Sequence, residues 1–262
     1  MADYARGKAL YTRKNYDKAR EEFLAAVEKN PDDGNSWYFL GEIEKNRNNF
    51  AEAEKAYASA VNGRLEKKLI NLAFWNLTVL VERRGDPLDI VRTCRLFHEK
   101  TGSSEPLKKI DSLTDKLLWT DNAEAQKLYQ EGAALRKAKD HRGAAEKLNA
   151  ALAAAPEFLA PRYELAMILY DRKDMAGAAV HLAAVADRIP FYYDANRLLA
   201  DIYFSLSSFG PAAKYYGNCL EFLPMKRERK STILFNRGVC HYNLKDYDAA
   251  LADFAECSRL DP

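Results

Sequence analysis

The chain has 262 residues, 48% of them hydrophobic and 30% charged, which is enough to bury a sizeable core. Its 40 Lys and Arg against 38 Asp and Glu leave a formal charge of +2, so no broad positive field exists to hold nucleic acid or an anionic membrane. Forty alanines beside sparse Val, Ile and Thr favour closely packed helices over strands, and the expected class is all-α.

In chain order, the segment MADYARGKAL at the amino terminus has no apolar run behind a basic start, so no export signal is read and a cytoplasmic location is expected. GKALYTRKNYDKAREEFLAAVEKNP then reads as helix, polar turn and helix closing on Pro31, and GEIEKNRNNFAEAEKAYASAV repeats that plan. Leu69 to Val81 is the most apolar stretch; it is too short to span a bilayer and is expected to be a helix buried on several sides. Phe74, Leu77, Thr78 and Val81, followed by Ile90, Cys94 and Phe97, continue the helix-pair spacing in degenerate form. Thr101 to Pro106 holds a helix stop and a helix start, and opens a lone helix with Leu107, Ile110, Leu113 and Leu117 on one face. Four further helix pairs are expected from residue 121 onward.

The prolines reveal a period. Pro156, Pro190 and Pro224 stand 34 residues apart, and Pro262 follows after 38. One slot holds a small residue at Gly7, Gly41, Gly132, Ala166, Ala200 and Gly238. A second holds alanine at Ala19, Ala53, Ala144, Ala178, Ala212 and Ala250, and a third holds Phe23, Tyr57, Leu148, Leu182, Tyr216 and Phe254. The turns carry Asn48-Asn49, Lys139-Asp140, Lys173-Asp174 and Lys245-Asp246, with the second residue placed to cap the following helix. In period and slots the sequence resembles the tetratricopeptide repeat family. The resemblance implies a right-handed α-solenoid of about six clear repeats, one degenerate repeat and one extra helix. The organisation expected is an amino-terminal lobe over 1–100, a linking helix over 101–120 and a carboxyl-terminal lobe over 121–262, with a kink or a split between the lobes.

Catalytic chemistry finds little support. Cys94 and His98 stand four apart on one helix, but Cys94 fills an aromatic slot and reads as a core thiol. Cys219 and Cys257 occupy an alanine slot, and Cys240-His241 has no acid beside it in sequence. The cysteines fit no disulfide framework. No phosphate-binding glycine loop, paired CxxC or HExxH is present. No cofactor, no metal and no enzyme activity are therefore expected.

Binding is the better reading. By resemblance to the repeat family, the slots three before and four after the small residue line a concave groove. They hold Tyr4, Tyr11, Tyr38 and Lys45 in the first lobe, and Tyr129, Arg136, Tyr163, Tyr170, Arg197, Phe204, Phe235 and Tyr242 in the second, joined by Met167, Asp201 and Val239. Rigid rings and one flexible Met suit a peptide or an amphipathic helix of a partner protein. The Lys, Asn and Arg set with which some family members clamp acidic chaperone tails is not found. The basic cluster Lys226, Arg227, Arg229 and Lys230 lies in a four-residue insertion and reads as a solvated helix start. The expectation is a non-catalytic scaffold or adaptor. The alternatives are a recruiting module of a larger enzyme, or a structural subunit that self-associates through a last repeat whose Leu251 and Phe254 lack a polar capping helix.

Overall fold

The computed structural model describes residues 2–222 and 224–260, so Pro262 lies outside the described residues. Those residues form fifteen helices and no strand. Two compact units divide within the lone helix, the first Met1–Lys109 and the second Ile110–Pro262.

In the first unit, α1 (Ala2–Thr12) packs on α2 (Tyr16–Lys29), α3 (Gly34–Asn46) on α4 (Phe50–Asn62), and α5 (Lys67–Arg84) on α6 (Pro87–Thr101). Helix α7 (Glu105–Leu118) follows. The second unit repeats the pairing with α8 (Ala123–Lys137) on α9 (His141–Ala154), α10 (Leu159–Asp171) on α11 (Met175–Arg188), α12 (Tyr193–Ser205) on α13 (Phe209–Phe222), and α14 (Arg227–Asn243) on α15 (Tyr247–Leu260). Within each unit every second helix also packs on the first helix of the next pair. Six clear pairs, one degenerate pair and one extra helix are the result.

The slots explain the pairing. A methyl group added at Gly41 would lie 2.7 Å from the Tyr57 ring, and one at Gly238 would lie 2.7 Å from Phe254. The missing side chain lets the paired helices cross closely, and the large residue sixteen positions later fills the space so opened. Ala19, Ala53, Ala144, Ala178 and Ala212 are all fully buried in the crossing, as are Phe23, Tyr57, Leu148, Leu182 and Tyr216. Burying each of those large side chains contributes about 1.5–3 kcal/mol.

The turns follow a rule of their own. Lys14, Asn48, Lys139, Lys173, Ser207 and Lys245 all adopt positive φ, between 55° and 66°, each just after the first helix of its pair. The next residue caps the second helix in three of the four expected cases, as Asp140, Asp174 and Asp246 accept from the backbone N–H of Gly143, Gly177 and Ala249. Asn49 does not. Its side chain turns back to the preceding helix instead, where Nδ2 donates to Glu44 Oε2 at 2.8 Å. In the degenerate pair Gly85, at φ 83°, takes the left-handed position and Asp86 caps α6 through Leu88 N–H.

Helix α5 corrects one expectation. Its buried residues include Phe74, Leu77, Thr78 and Val81, but Leu72 and Val79 are at least half exposed, so the helix buries one broad face and not several. Phe74 stacks on Phe97 at 4.8 Å, and Trp75 meets the same ring edge-on. In α7 Ile110 is buried while Leu107, Leu113 and Leu117 are half-buried.

Candidate functional site

The first helices of each unit carry the residues assigned to a groove, and the structure sorts them into three kinds. Tyr4, Tyr11 and Tyr129 lean into core clusters as half-buried rings, and Tyr38 is buried. Burial, and then Glu66, push the Tyr4 hydroxyl up to about 12. Tyr163 packs against Tyr192 with the rings tilted and their centroids 5.4 Å apart, so it serves packing as well as any ligand. Met167, Val239, Tyr170 and Phe204 are half-buried, with Phe204 edge-on to Phe209 and Tyr216. Phe235 and Tyr242 are 53% and 60% exposed, although each also touches a ring of α15, Phe254 at 5.8 Å and Tyr247 at 5.7 Å. Arg136 is paired with Glu164 on the neighbouring first helix.

Between α12 and α14 the second unit holds an open concavity of about 430 Å³, lined by Tyr193, Asp194, Arg197, Asp201, Arg229, Thr232, Ile233 and Asn236. Of these, the repeat slots give Arg197 and Asp201 as groove residues and the basic cluster contains Arg229, while the other five carry no signal in the sequence. Asp201 is the hub. Its Oδ1 accepts from the Tyr216 hydroxyl at 2.7 Å, and its Oδ2 accepts from Arg197 Nη1 at 2.7 Å. Asn236 Nδ2 in turn donates to the Tyr216 oxygen at 3.3 Å. Burial, and then the bond to Asp201, raise the Tyr216 hydroxyl far above its ordinary value, so it stays a donor.

The same device stands in the first unit. Glu42 accepts from the Tyr57 hydroxyl, from Asn76 at 2.8 Å and from Lys45 at 3.1 Å, and Lys45 also reaches Asn76 Oδ1 at 3.0 Å. Glu42 and Asp201 are the residues just after the small slot, and Tyr57 and Tyr216 are the two tyrosines of the large slot. Where that slot holds Phe23, Leu148, Leu182 or Phe254, the acid is replaced by Lys8, Ala133, Met167 or Val239. A hydroxyl at the helix crossing needs an acceptor, and a hydrocarbon there does not. A second, mostly apolar concavity of about 440 Å³ surrounds Tyr129 and is lined by Trp119, Leu118, Ala160, Asp115 and Lys116. Trp119 meets both Tyr129 and Phe158 edge-on.

The candidates for chemistry are arranged as core. Burial pushes the thiols of Cys94 and Cys240 up to about 11 and that of Cys219 up to about 12, which suppresses the thiolate a nucleophile or a metal ligand needs. His98 Nδ1 is bound to the Ser103 carbonyl at 2.7 Å. Among the described residues no group of His, Cys, Asp and Glu is gathered as a metal site, and no helix is long and apolar enough to cross a membrane. The basic cluster opens α14, with Lys226, Arg227 and Arg229 exposed and Lys230 half-buried. Arg227 donates to the Arg259 carbonyl at 3.0 Å, Lys230 pairs with Glu256 at 3.1 Å, and Arg229 lies 5.3 Å from the centre of the Tyr193 ring.

Two tetratricopeptide repeat family models match the sequence, one over residues 4–66 and one over 231–262. No curated protein matches it. Among solved structures, PilF of Pseudomonas aeruginosa is 16% identical with a TM-score of 0.42, the match covering all of this chain and 91% of that one. A double mutant of MamA from strain RS-1 is 20% identical with a TM-score of 0.43, covering 72% of this chain and 92% of that one. The C-terminal part of a repeat protein from Cytophaga hutchinsonii is 14% identical with a TM-score of 0.43, covering 99% and 95%. The matched terminal segments are tetratricopeptide repeats, and the same slots continue in phase between them through all-α helix pairs.

Proposed function

We propose that the chain is a non-catalytic adaptor whose second unit binds a segment of a partner protein along its first helices, α8, α10, α12 and α14. The observation that carries this reading is the open concavity between α12 and α14, and the same α14 also carries the exposed rings of Phe235 and Tyr242. Exposed aromatic rings give large contact area with few rotors to freeze, which makes them effective anchors for a peptide. The raised thiols and the carbonyl-bound His98 support an adaptor without chemistry of its own.

The test is a selection of peptides from a random displayed library against the full chain, followed by affinity measurement on Phe235→Ala/Tyr242→Ala. Both rings are more than half exposed, so the helical circular dichroism should stay unchanged. The selected peptides should weaken about tenfold or more, the scale of losing a binding hot spot. Unchanged affinity would move the binding surface elsewhere.

A further inference from the structure

We infer that two copies of this chain pair through α15, each laying the outward face of that helix antiparallel on the same face of the other across a two-fold axis. The surface lies apart from the groove, and the inference stands without the groove reading.

The second helix of every clear pair exposes the slot two residues after its buried alanine, as Glu21, Lys55, Glu146, Val180, Lys214 and Ala252 show. This face of α15 is thus exposed for the same reason as in the other pairs, pointing away from the first helices on which second helices pack. In α15 it carries Asp248, Ala252, Ala255 and Arg259, all exposed. Their spacing of four, three and four puts them in one line along the helix. Leu251, 69% exposed, stands beside the two alanines and widens the apolar middle of the line. Among the exposed residues of α15, Asp248 and Arg259 are the only charges.

Charge complementarity selects the occupant, because the line is its own complement. When it is laid antiparallel on itself, its first slot meets its last and its second meets its third. Asp248 then faces the second copy's Arg259, and Ala252 faces the second copy's Ala255, where small side chains let the backbones approach. The two-fold axis repeats each contact, so one pairing brings two ion pairs. No other second helix of the six clear pairs ends this line in opposite charges. In α2 Asp17 would face Glu28, acid against acid, and in α11 and α13 the acids Asp187 and Glu221 would face Ala176 and Gly210. Arg259 stands in the slot of those acids. Its side chain is 75% exposed and paired along its own helix with Glu256, a carboxylate that Lys230 also holds at 3.1 Å. Its five N–H groups leave donors for a second carboxylate. A single helix pair falls short of the roughly 1,200–2,000 Å² buried in a standard interface, so the dimer should dissociate on dilution.

Sedimentation equilibrium on the full chain provides the test, over about 5 to 500 µM, the range in which a weak interface of this kind changes state. The mass should rise from one copy toward two with concentration, and less steeply at high salt. Asp248→Arg should remove the rise, and so should Arg259→Asp, since each sets like charges against each other at both contacts. The two variants mixed in equal amounts should recover it, because every contact in the mixed dimer again joins an acid to a base. Both positions are exposed, so each variant should keep the helical circular dichroism of the parent, which separates lost pairing from lost folding. A single copy at all concentrations, a rise indifferent to either reversal, or a mixture of folded variants that stays monomeric overturns the inference.

Discussion

The pairing of a crossing tyrosine with a carboxylate can be measured as a coupling energy. Tyr216 is fully buried as a residue and its hydroxyl reaches Asp201 Oδ1 at 2.7 Å. Hydrogen bonds to charged groups contribute about 1.5–3 kcal/mol when enclosed; the Asp201 side chain is 36% exposed, so Tyr216→Phe should cost about 1–1.5 kcal/mol. Asp201→Val gives that acid position the residue found at Val239, opposite Phe254. Alone it should cost about 1–2 kcal/mol, the sum of a weakened Tyr216 hydroxyl, a lost half-exposed ion pair and the lower helix propensity of valine. The double variant recreates the Phe254–Val239 combination and leaves no hydroxyl without a carboxylate. It should be at least about 1 kcal/mol less destabilised than the two single changes added together. Urea unfolding followed by far-ultraviolet circular dichroism on the four proteins closes the cycle. Additive losses within about 0.3 kcal/mol would show that acid and tyrosine are neighbours without being partners.

Two further outcomes follow from the turns and from one histidine. Lys139 and Lys173 hold positive φ, at 64° and 66°, a conformation that strains any residue with a Cβ. Lys139→Gly should therefore raise stability by about 0.5–1 kcal/mol, while Gly85→Ala, at φ 83°, should lower it by about 1 kcal/mol or more; thermal unfolding that ranks the two in the opposite order refutes the turn assignment. Burial, and then Arg162, hold the His181 imidazole below its ordinary 6.5, and its Nδ1 is buried without a hydrogen-bond partner. The unfolded chain takes up a proton there before the folded chain does, so stability is full above about pH 6.5 and declines as pH falls below it. His181→Leu should flatten that decline between pH 7 and 5 in urea midpoints, and an unchanged slope would assign the decline to other groups.

Much of the fold could be read from the residues because a repeat states each packing requirement several times. A single Gly41 is weak evidence, but Gly7, Gly41, Gly132 and Gly238 in one phase, each with a large residue sixteen positions on, describe a helix crossing. The turns were less readable. Left-handed positions usually announce themselves as glycine or asparagine, and here four of the six non-glycine cases are lysine, so their backbone could not be told from an ordinary polar turn. Asn49 misled for a related reason. Its type fits a cap, but the acceptor that claims its amide, Glu44, belongs to the preceding helix, and Glu44 is itself nearly buried and held by Arg20 at 2.5 Å.

The site divides along the same line. Positions fixed by the period, such as Arg197, Phe235 and Tyr242, could be placed by counting from Gly238 or Ala200. Positions that depend on a departure from the period could not. Arg229 faces Tyr193 only because the insertion is taken up as one more helical turn and not as a loop; a loop of the same length would have carried the arginine away from α12. The Asp201 hub depends on a tyrosine in place of phenylalanine sixteen residues away, a difference of one oxygen atom that composition and hydrophobic pattern both ignore. Shared residues in this chain set the helix crossings, and the residues that break ranks with the other repeats place charge on the groove floor. Selectivity for a partner should therefore follow the departures. Exchanging Tyr216 and Asp201 alters what the floor can hydrogen-bond, whereas exchanging Ala212 or Ala200 alters whether there is a floor.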